Sequence, residues 1–377
     1  MKISTFLGML CLIFSSITYS VGSKSVEPQE FKSSNFKVEV VIEGLEVPWG
    51  FDFLPDGGLL FSERGGGIKV FDSKTKKTTS IKGVPQVKAS NQGGMLDILV
   101  HPYFKKNKTF FFSYSKEVKK GLYTTVVAKA VLDRKQGSIV SLKDIFIARP
   151  PSSKTHHYGS RIVMDKKGHL FISVGDRGDR HKAQSLKTHM GKIIRINQDG
   201  SIPKDNPFLK QKGAFKEIWS FGHRNPQGLA FDRVGGALYE QEHGPRGGDE
   251  INRIEKGSNY GWPIITYGKE YWGPSIGEGT KKKGMKQPLK FWVPSIAPCG
   301  LTFYNGEKFP NWRGSLFSGA LRGAHLNRLI LKKGKIVGEE RLLEDLGLRV
   351  RNVKEDPEGF LYISVDQGKI LRIVPRP

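Results

Sequence analysis

WGFDFLPDGGLLFSER, residues 49–64, places two short apolar runs on either side of a Pro-Asp-Gly-Gly turn. Alternating apolar and polar residues suit a strand with one buried face, and Pro, Asp and Gly supply the backbone angles of a tight reversal. The stretch reads as an antiparallel hairpin. A lone hairpin cannot bury its own apolar faces, so it needs neighbours. Five further stretches read the same way: LDILVHPYFKKNKTFFFSYS (96–115), SRIVMDKKGHLFISVGD (160–176), GLAFDRVGGALYEQEHG (228–244), LTFYNGEKFPNWRGSLFSGA (301–320) and VRNVKEDPEGFLYISVD (350–366). They recur every 45 to 75 residues, roughly, which is the spacing of four-stranded propeller blades with insertions. The hairpins share a pattern and no fixed motif. Long amphipathic helices are almost absent. The expected fold is all-β: a six-bladed β-propeller of four-stranded antiparallel blades. FKVEVVIEGL (36–45) and GKILRIVP (368–375) read as N- and C-terminal strands that close the ring within one blade. A pair of packed sandwiches accounts for the recurrence less well.

The first twenty residues, MKISTFLGMLCLIFSSITYS, read as a cleaved secretory signal: a lysine, an apolar run, then small residues at Thr18 and Ser20. Residues 21–377 are then expected to form a single propeller domain in the periplasm, as a monomer or homodimer. The apolar run is short for a bilayer, so no stable membrane insertion is expected. Of the two cysteines, Cys11 leaves with the signal and Cys299 has no partner, which excludes an intrachain disulfide. The formal charge of +25 would suit nucleic acid in an intracellular protein. Export argues against that, and the lysines are scattered through turn-like runs such as KTKK, KKNK and TKKKGMK. A solvated basic surface is the favoured reading, with no nucleic-acid partner. Hydrophobic residues at 37% and charged residues at 26% suit a packed core and exclude global disorder.

Functional groups of a propeller gather in the loops around its central channel. SNQGGMLDI (90–98) carries Gln92, and THHYGSRI (155–162) carries His156 and His157. On an extended chain adjacent side chains point opposite ways, so at most one of the two histidines would face a site. SVGDRGDR (173–180) carries Asp176, and SFGHRNPQGLAFD (220–232) carries Arg224 and Asn225. GALRGAHL (319–326) carries Arg322. Arg349 and Arg351, in GLRVRNV (347–353), share one strand face if the strand is regular. Adjacent guanidiniums need an anion and grip carboxylates bidentately. HGPRGGDE (243–250) offers turn carbonyls with carboxylates close behind, hard oxygen ligands that suit calcium. No HExxH, P-loop or GxSxG motif is present. Residues 262–295 form an irregular aromatic stretch, with Trp262, Tyr267, Tyr271 and Trp272. It reads equally as a wall facing substrate and as a self-packed insertion.

NQGGMLDI, HHYGSRI, SVGDRGD, FGHRNPQGLAFD, EHGPRGGDEIN, NYGWP and RVRNV follow one another in the order seen in one known family. The chain resembles the soluble, PQQ-dependent aldose sugar dehydrogenases of the glucose/sorbosone dehydrogenase family over nearly its whole length after the signal. The resemblance implies a six-bladed propeller, pyrroloquinoline quinone (PQQ) and calcium. It implies oxidation of an aldose sugar at C1 to a lactone, with electrons passing to an acceptor such as a quinone or cytochrome. It makes His157 the general base and Asp176 the carboxylate that orients it. Arg224 and Asn225 would contact the quinone oxygens, Arg224 stabilising developing charge, and Gln92 would reach substrate or cofactor. Arg349 and Arg351 would hold PQQ carboxylates. Arg322 falls where the family commonly has a lysine over the cofactor. Carbonyls of Gly244 and Pro245 would hold the cofactor's calcium, and Glu250 and Tyr260 match a separate structural calcium site. His156 stands where part of the family has an acidic residue, which leaves sugar preference open. Two other readings are a calcium-dependent propeller lactonase or hydrolase, and a non-catalytic sugar-binding propeller. The hydrolase would not need several arginines converging on an anion, and the arginine set together with His157 and Asp176 speaks against a non-catalytic sugar- or polyanion-binding propeller.

Overall fold

The computed structural model describes residues 36–376. Its 24 strands form six antiparallel sheets of four. The first strands of the blades are Pro48–Phe53, Met95–Val100, Ile162–Met164, Pro226–Phe231, Pro298–Phe303 and Val350–Glu355. Each packs against the first strand of the next blade, round the full circle. Phe36–Ile42 pairs with Lys369–Pro375 as the outermost strand of the sixth blade, so the two chain ends close the ring as expected. Among the described residues no helix is long and apolar enough to cross a membrane. The expected signal, residues 1–20, lies outside them.

The core lies between blades, and this explains the FFF run. Phe110, Phe111 and Phe112 are consecutive and all fully buried. Phe110 and Phe112 join Leu60, Ile68 and Val70 of the first blade, while Phe111 joins Ile172 and Ile194 of the third. Successive strand residues face opposite sides, and in a propeller both sides are interior. Each such phenylalanine contributes about 2 kcal/mol of burial.

A side-chain link between neighbouring blades recurs, although no single residue type makes it. In five blades the pairing slips near the start of the first strand, at Pro48/Phe51, Met95/Ile98, Pro226/Gly228, Cys299/Leu301 and Val350/Asn352. Such bulges free backbone groups and re-aim side chains. Ser62, Ser113 and Ser173, on the second strands of blades one to three, accept hydrogen bonds from the N–H groups of Gly50 (3.0 Å), Asp97 (2.9 Å) and Arg161 (2.9 Å). Each then donates across to the next blade: to the carbonyl of Leu96, of Ser160 at 2.7 Å, and of Pro226 at 3.0 Å. In blade four Gln241 makes the equivalent reach, to the Gly300 carbonyl at 2.7 Å. The spacing between donor and serine varies and one blade uses glutamine, so the motif is hidden in the linear sequence. These links tie together the rim ends of the strands that carry the site.

Candidate active site

The chain does not run extended through the two histidines. His157 has φ of 55°, Gly159 64° and Ser160 79°, and the strand begins only at Ile162. The expectation that His156 and His157 point apart therefore fails: their rings meet edge-on, with centroids 4.6 Å apart. Left-handed backbone is costly for a non-glycine residue and persists where surroundings fix it. Here the His157 N–H donates to Gln92 Oε1 at 2.8 Å. Gly175 lets the segment approach, since a Cβ there would lie 2.2 Å from the His157 carbonyl oxygen.

His157 Nδ1 lies 2.7 Å from Asp176 Oδ1. That carboxylate is buried and accepts two further bonds, from the Gly178 N–H at 2.7 Å and from Trp262 Nε1 at 2.8 Å. Burial alone would raise the Asp176 pKa. The His157 contact and the Arg224 charge outweigh it and hold the group below its ordinary value. His157 moves the other way from an ordinary ion pair. Burial pulls its pKa down to about 4, against the Asp176 hydrogen bond and with help from Arg224. The imidazole is thus neutral at neutral pH. With Nδ1–H committed to Asp176, Nε2 carries the lone pair, and it has no hydrogen-bond partner among the described residues. This is the arrangement of a general base.

Gln92, which holds the His157 N–H, and the adjacent Tyr158 line a cavity of about 420 Å³, whereas His157, Asp176 and Arg224 are not among its lining residues. Gln92, Asn225, Arg349 and Arg351 all line it, as do Arg64 and Asp366, which sequence reasoning missed. The arginine pair does meet an anion, but one supplied by the chain itself. Arg351 binds Asp366 through Nε and Nη2, each at 2.8 Å, and Arg349 Nε reaches the same carboxylate at 3.1 Å. The bulge between Val350 and Asn352 takes Arg351 out of the regular ladder, so convergence on Asp366 replaces the expected shared strand face. Arg349 is 48% exposed and Arg351 14%. Arg322 is not brought in: it is exposed on a turn and does not line the cavity, although its neighbour Leu321 does.

Arg224 lies deeper. Its Nη1 donates to the carbonyls of His243 at 3.1 Å and Gly244 at 2.7 Å. The Gly244 N–H is held by Asp249 at 2.9 Å, and Asp249 also caps Ile296 and Ala297, so it braces the turn. Gly244, Glu242, Glu250 and Tyr260 border a small void. Glu240 and Glu242 are two apart on one strand and so lie on one face, a signal present in EQEH that sequence reasoning missed. With His223 they offer donor atoms within 4.8 Å of one another. Burial, then the charge of Glu242, pushes the Glu240 and Glu250 pKa values well up. Glu240 Oε1 and His223 Nδ1 are buried without hydrogen-bond partners, and His223 Nδ1 lies 3.5 Å from Glu242 Oε1.

The 262–295 stretch divides in function. Trp262 holds Asp176. Tyr267 stacks on Phe291 at 3.8 Å, and Lys290–Trp292 is the fourth strand of blade four. Tyr271 and Trp272 stand exposed at 65% and 74%.

The family model described as Glucose / Sorbosone dehydrogenase matches residues 45–372. Over 344 residues the chain is 40% identical to the aldose sugar dehydrogenase YliI of Escherichia coli, covering 90% of this chain and 93% of that one. The crystal structure of the soluble aldose sugar dehydrogenase from Escherichia coli in its apo form superposes with a TM-score of 0.88 at 39% identity, covering 90% of this chain and all of the other. The PQQ-bound aldose sugar dehydrogenase of Streptomyces coelicolor gives a TM-score of 0.76 at 28% identity, over 90% of this chain and 98% of that one.

Proposed function

The chain belongs to the glucose/sorbosone dehydrogenase family, and on that premise we propose that it is an exported PQQ- and calcium-dependent dehydrogenase that oxidises aldoses at C1 to lactones. The observation that carries the reading is a neutral His157 bonded to Asp176 and held by Gln92, where Gln92 and the adjacent Tyr158 line a cavity with three guanidiniums and one carboxylate. When bound, PQQ supplies an ortho-quinone that accepts a hydride equivalent, and calcium supplies Lewis acidity.

The residues present fit a planar tricarboxylate. Arg64, Arg349 and Arg351 outnumber Asp366, and the amides of Gln92 and Asn225 add neutral polar groups. A hard dication fits the acidic cluster, where Glu240, Glu242 and Glu250 crowd together and one buried oxygen lacks a partner. Glu250 and Tyr260 border that cluster's void, so they would hold it. The Gly244 carbonyl fits a cation less well, because it already accepts from Arg224. The roles of His157 and Asp176 do not depend on calcium there or at Pro245.

His157 Nε2 takes the proton of the C1 hydroxyl. The imidazolium so formed is stabilised by Asp176, whose two oxygens are fixed by Gly178 and Trp262. Burial keeps His157 unprotonated beforehand, and the positive charge of Arg224 adds to that effect. A lactonase or a non-catalytic sugar binder would need no such surplus of arginine beside the base. The test is to add PQQ and calcium to the purified protein and follow dye reduction with a panel of aldoses. Turnover is expected with sugars that carry a free C1 hydroxyl. Absence of dye reduction together with unchanged PQQ absorbance refutes the reading. Mass spectrometry of the periplasmic protein tests export, with an expected start at residue 21.

A further inference from the structure

Arg161 closes the motif HHYGSR, yet it takes no part in the proton transfer at His157. It is 3% exposed and lines neither the site cavity nor the cavity at the far ends of the first strands. Its guanidinium sits over the ring of Trp49 at 4.0 Å. Nη1 reaches Asp97 Oδ1 at 3.2 Å, and Nε donates to the Gln227 carbonyl at 2.8 Å. Nη2 donates to the Arg351 carbonyl at 2.8 Å and to Cys299 Sγ at 3.4 Å. Trp49, Asp97, Gln227, Cys299 and Arg351 lie on the first strands of blades one, two, four, five and six, and Arg161 directly precedes that of blade three. One side chain therefore ties its own blade to the other five.

Its level in the channel matters as much. The site cavity is lined by residues at the starts of the first strands. A second cavity, of about 640 Å³, is lined by their far ends, among them Phe53, Val100, Phe231 and Phe303. Arg161 lies between the two, directly beneath Trp49, Gln227 and Arg351, which line the site cavity.

We propose that Arg161 is a positioning residue that plugs the channel: it seals the floor of the site cavity against the far mouth and fixes Arg351 and Gln227 from below. A planar fork with five donors suits the task, because the acceptors come from different blades and lie in different directions. An ammonium group cannot reach them all. Removing the fork leaves the buried acceptors on Gln227, Arg351 and Asp97 unpaired, so water enters or the strands shift. The consequence for cofactor grip rests on the PQQ reading, whereas the sealing does not.

Cys299 is a built-in reporter. It is fully buried against both Arg161 and Arg351, with Arg351 Nη1 at 3.6 Å. In a C11S background it is the only thiol of the chain. The experiment compares this protein with R161A and R161K in three readouts: native labelling of Cys299 by a small aromatic disulfide, PQQ affinity by fluorescence titration, and thermal unfolding. R161A is expected to unfold cooperatively, to label roughly ten-fold faster or more, and to bind PQQ about ten-fold more weakly, the scale of one lost buried polar contact. R161K is expected to move both readouts in the same direction by less. A folded R161A or R161K with the parent's labelling rate and PQQ affinity overturns the proposal, even if its melting temperature falls. Should R161A not fold, R161K decides alone. A parent protein that binds no PQQ would contradict the cofactor reading, while the labelling rates would still decide whether Arg161 seals the channel.

Discussion

Replacing Asp176 by asparagine tests the site most sharply, because the structure specifies why an amide fails there. Asp176 accepts from three donors: His157 Nδ1 and the Gly178 N–H on one oxygen, and Trp262 Nε1 on the other. An amide offers one oxygen and one NH2. If its oxygen faces His157, its NH2 faces the indole N–H, and two buried donors oppose each other. If it flips, His157 must move its proton to Nε2, and the base is lost. The first orientation leaves the Trp262 donor unsatisfied and the second the Gly178 N–H, each at about 1–3 kcal/mol of stability. The second removes the lone pair proposed to take the proton, and either removes the charge that would stabilise the imidazolium. A loss of about 10²–10⁴ in kcat is expected, the range for a misoriented general base. The assay is dye-linked turnover of the PQQ-loaded variant, with cofactor binding measured separately. W262F removes the competing indole donor. D176N/W262F should therefore be more stable than the two single costs predict, a coupling that a double-mutant cycle reads directly. A folded, PQQ-loaded D176N with kcat near the parent's would refute the role assigned to His157.

The arginines should rank by burial and pairing. R351A is expected to weaken PQQ binding by ten-fold or more, R349A by less, and R322A by under about three-fold, as titrations would show. Histidine burial sets a pH dependence. Between its ordinary value of 6.5 and about 4 the unfolded chain takes up a proton that folded His157 refuses. Stability therefore falls as pH drops through that window, by up to about 3 kcal/mol from this residue. Urea melts at pH 7 and pH 4.5 should show a shallower decline for H157Q than for the parent. S113A removes the link from the Asp97 N–H to the Ser160 carbonyl and should cost about 1–3 kcal/mol in the same melts.

The propeller was legible because each blade announces itself as a period-2 hairpin with a turn, and because six such hairpins recur at blade-like spacing. The linkage between blades was not, since the serines that make it sit at variable distances from their donors. At the site, residue types were readable and local geometry was not. His156 and His157 looked like opposed strand residues, yet left-handed angles at His157, Gly159 and Ser160 bring their rings together. Arg349 and Arg351 were readable as an anion grip, but Asp366 comes from the far end of the hairpin's second strand and no local pattern links them. Arg161 sits inside a legible motif with no visible role in the linear sequence. Only closure of the ring brings five distant strands onto its guanidinium.

The central claim is that His157 deprotonates an aldose beside bound PQQ. It is tested most directly by mixing the PQQ-loaded protein with one equivalent of aldose, without dye or oxygen, and following the quinone absorbance. The oxidised-quinone spectrum is expected to be lost in the parent and to persist in H157A, with both proteins holding the cofactor. Equal loss of the spectrum in both would remove His157 from the chemistry, and no loss in the parent would contradict the aldose dehydrogenase reading itself.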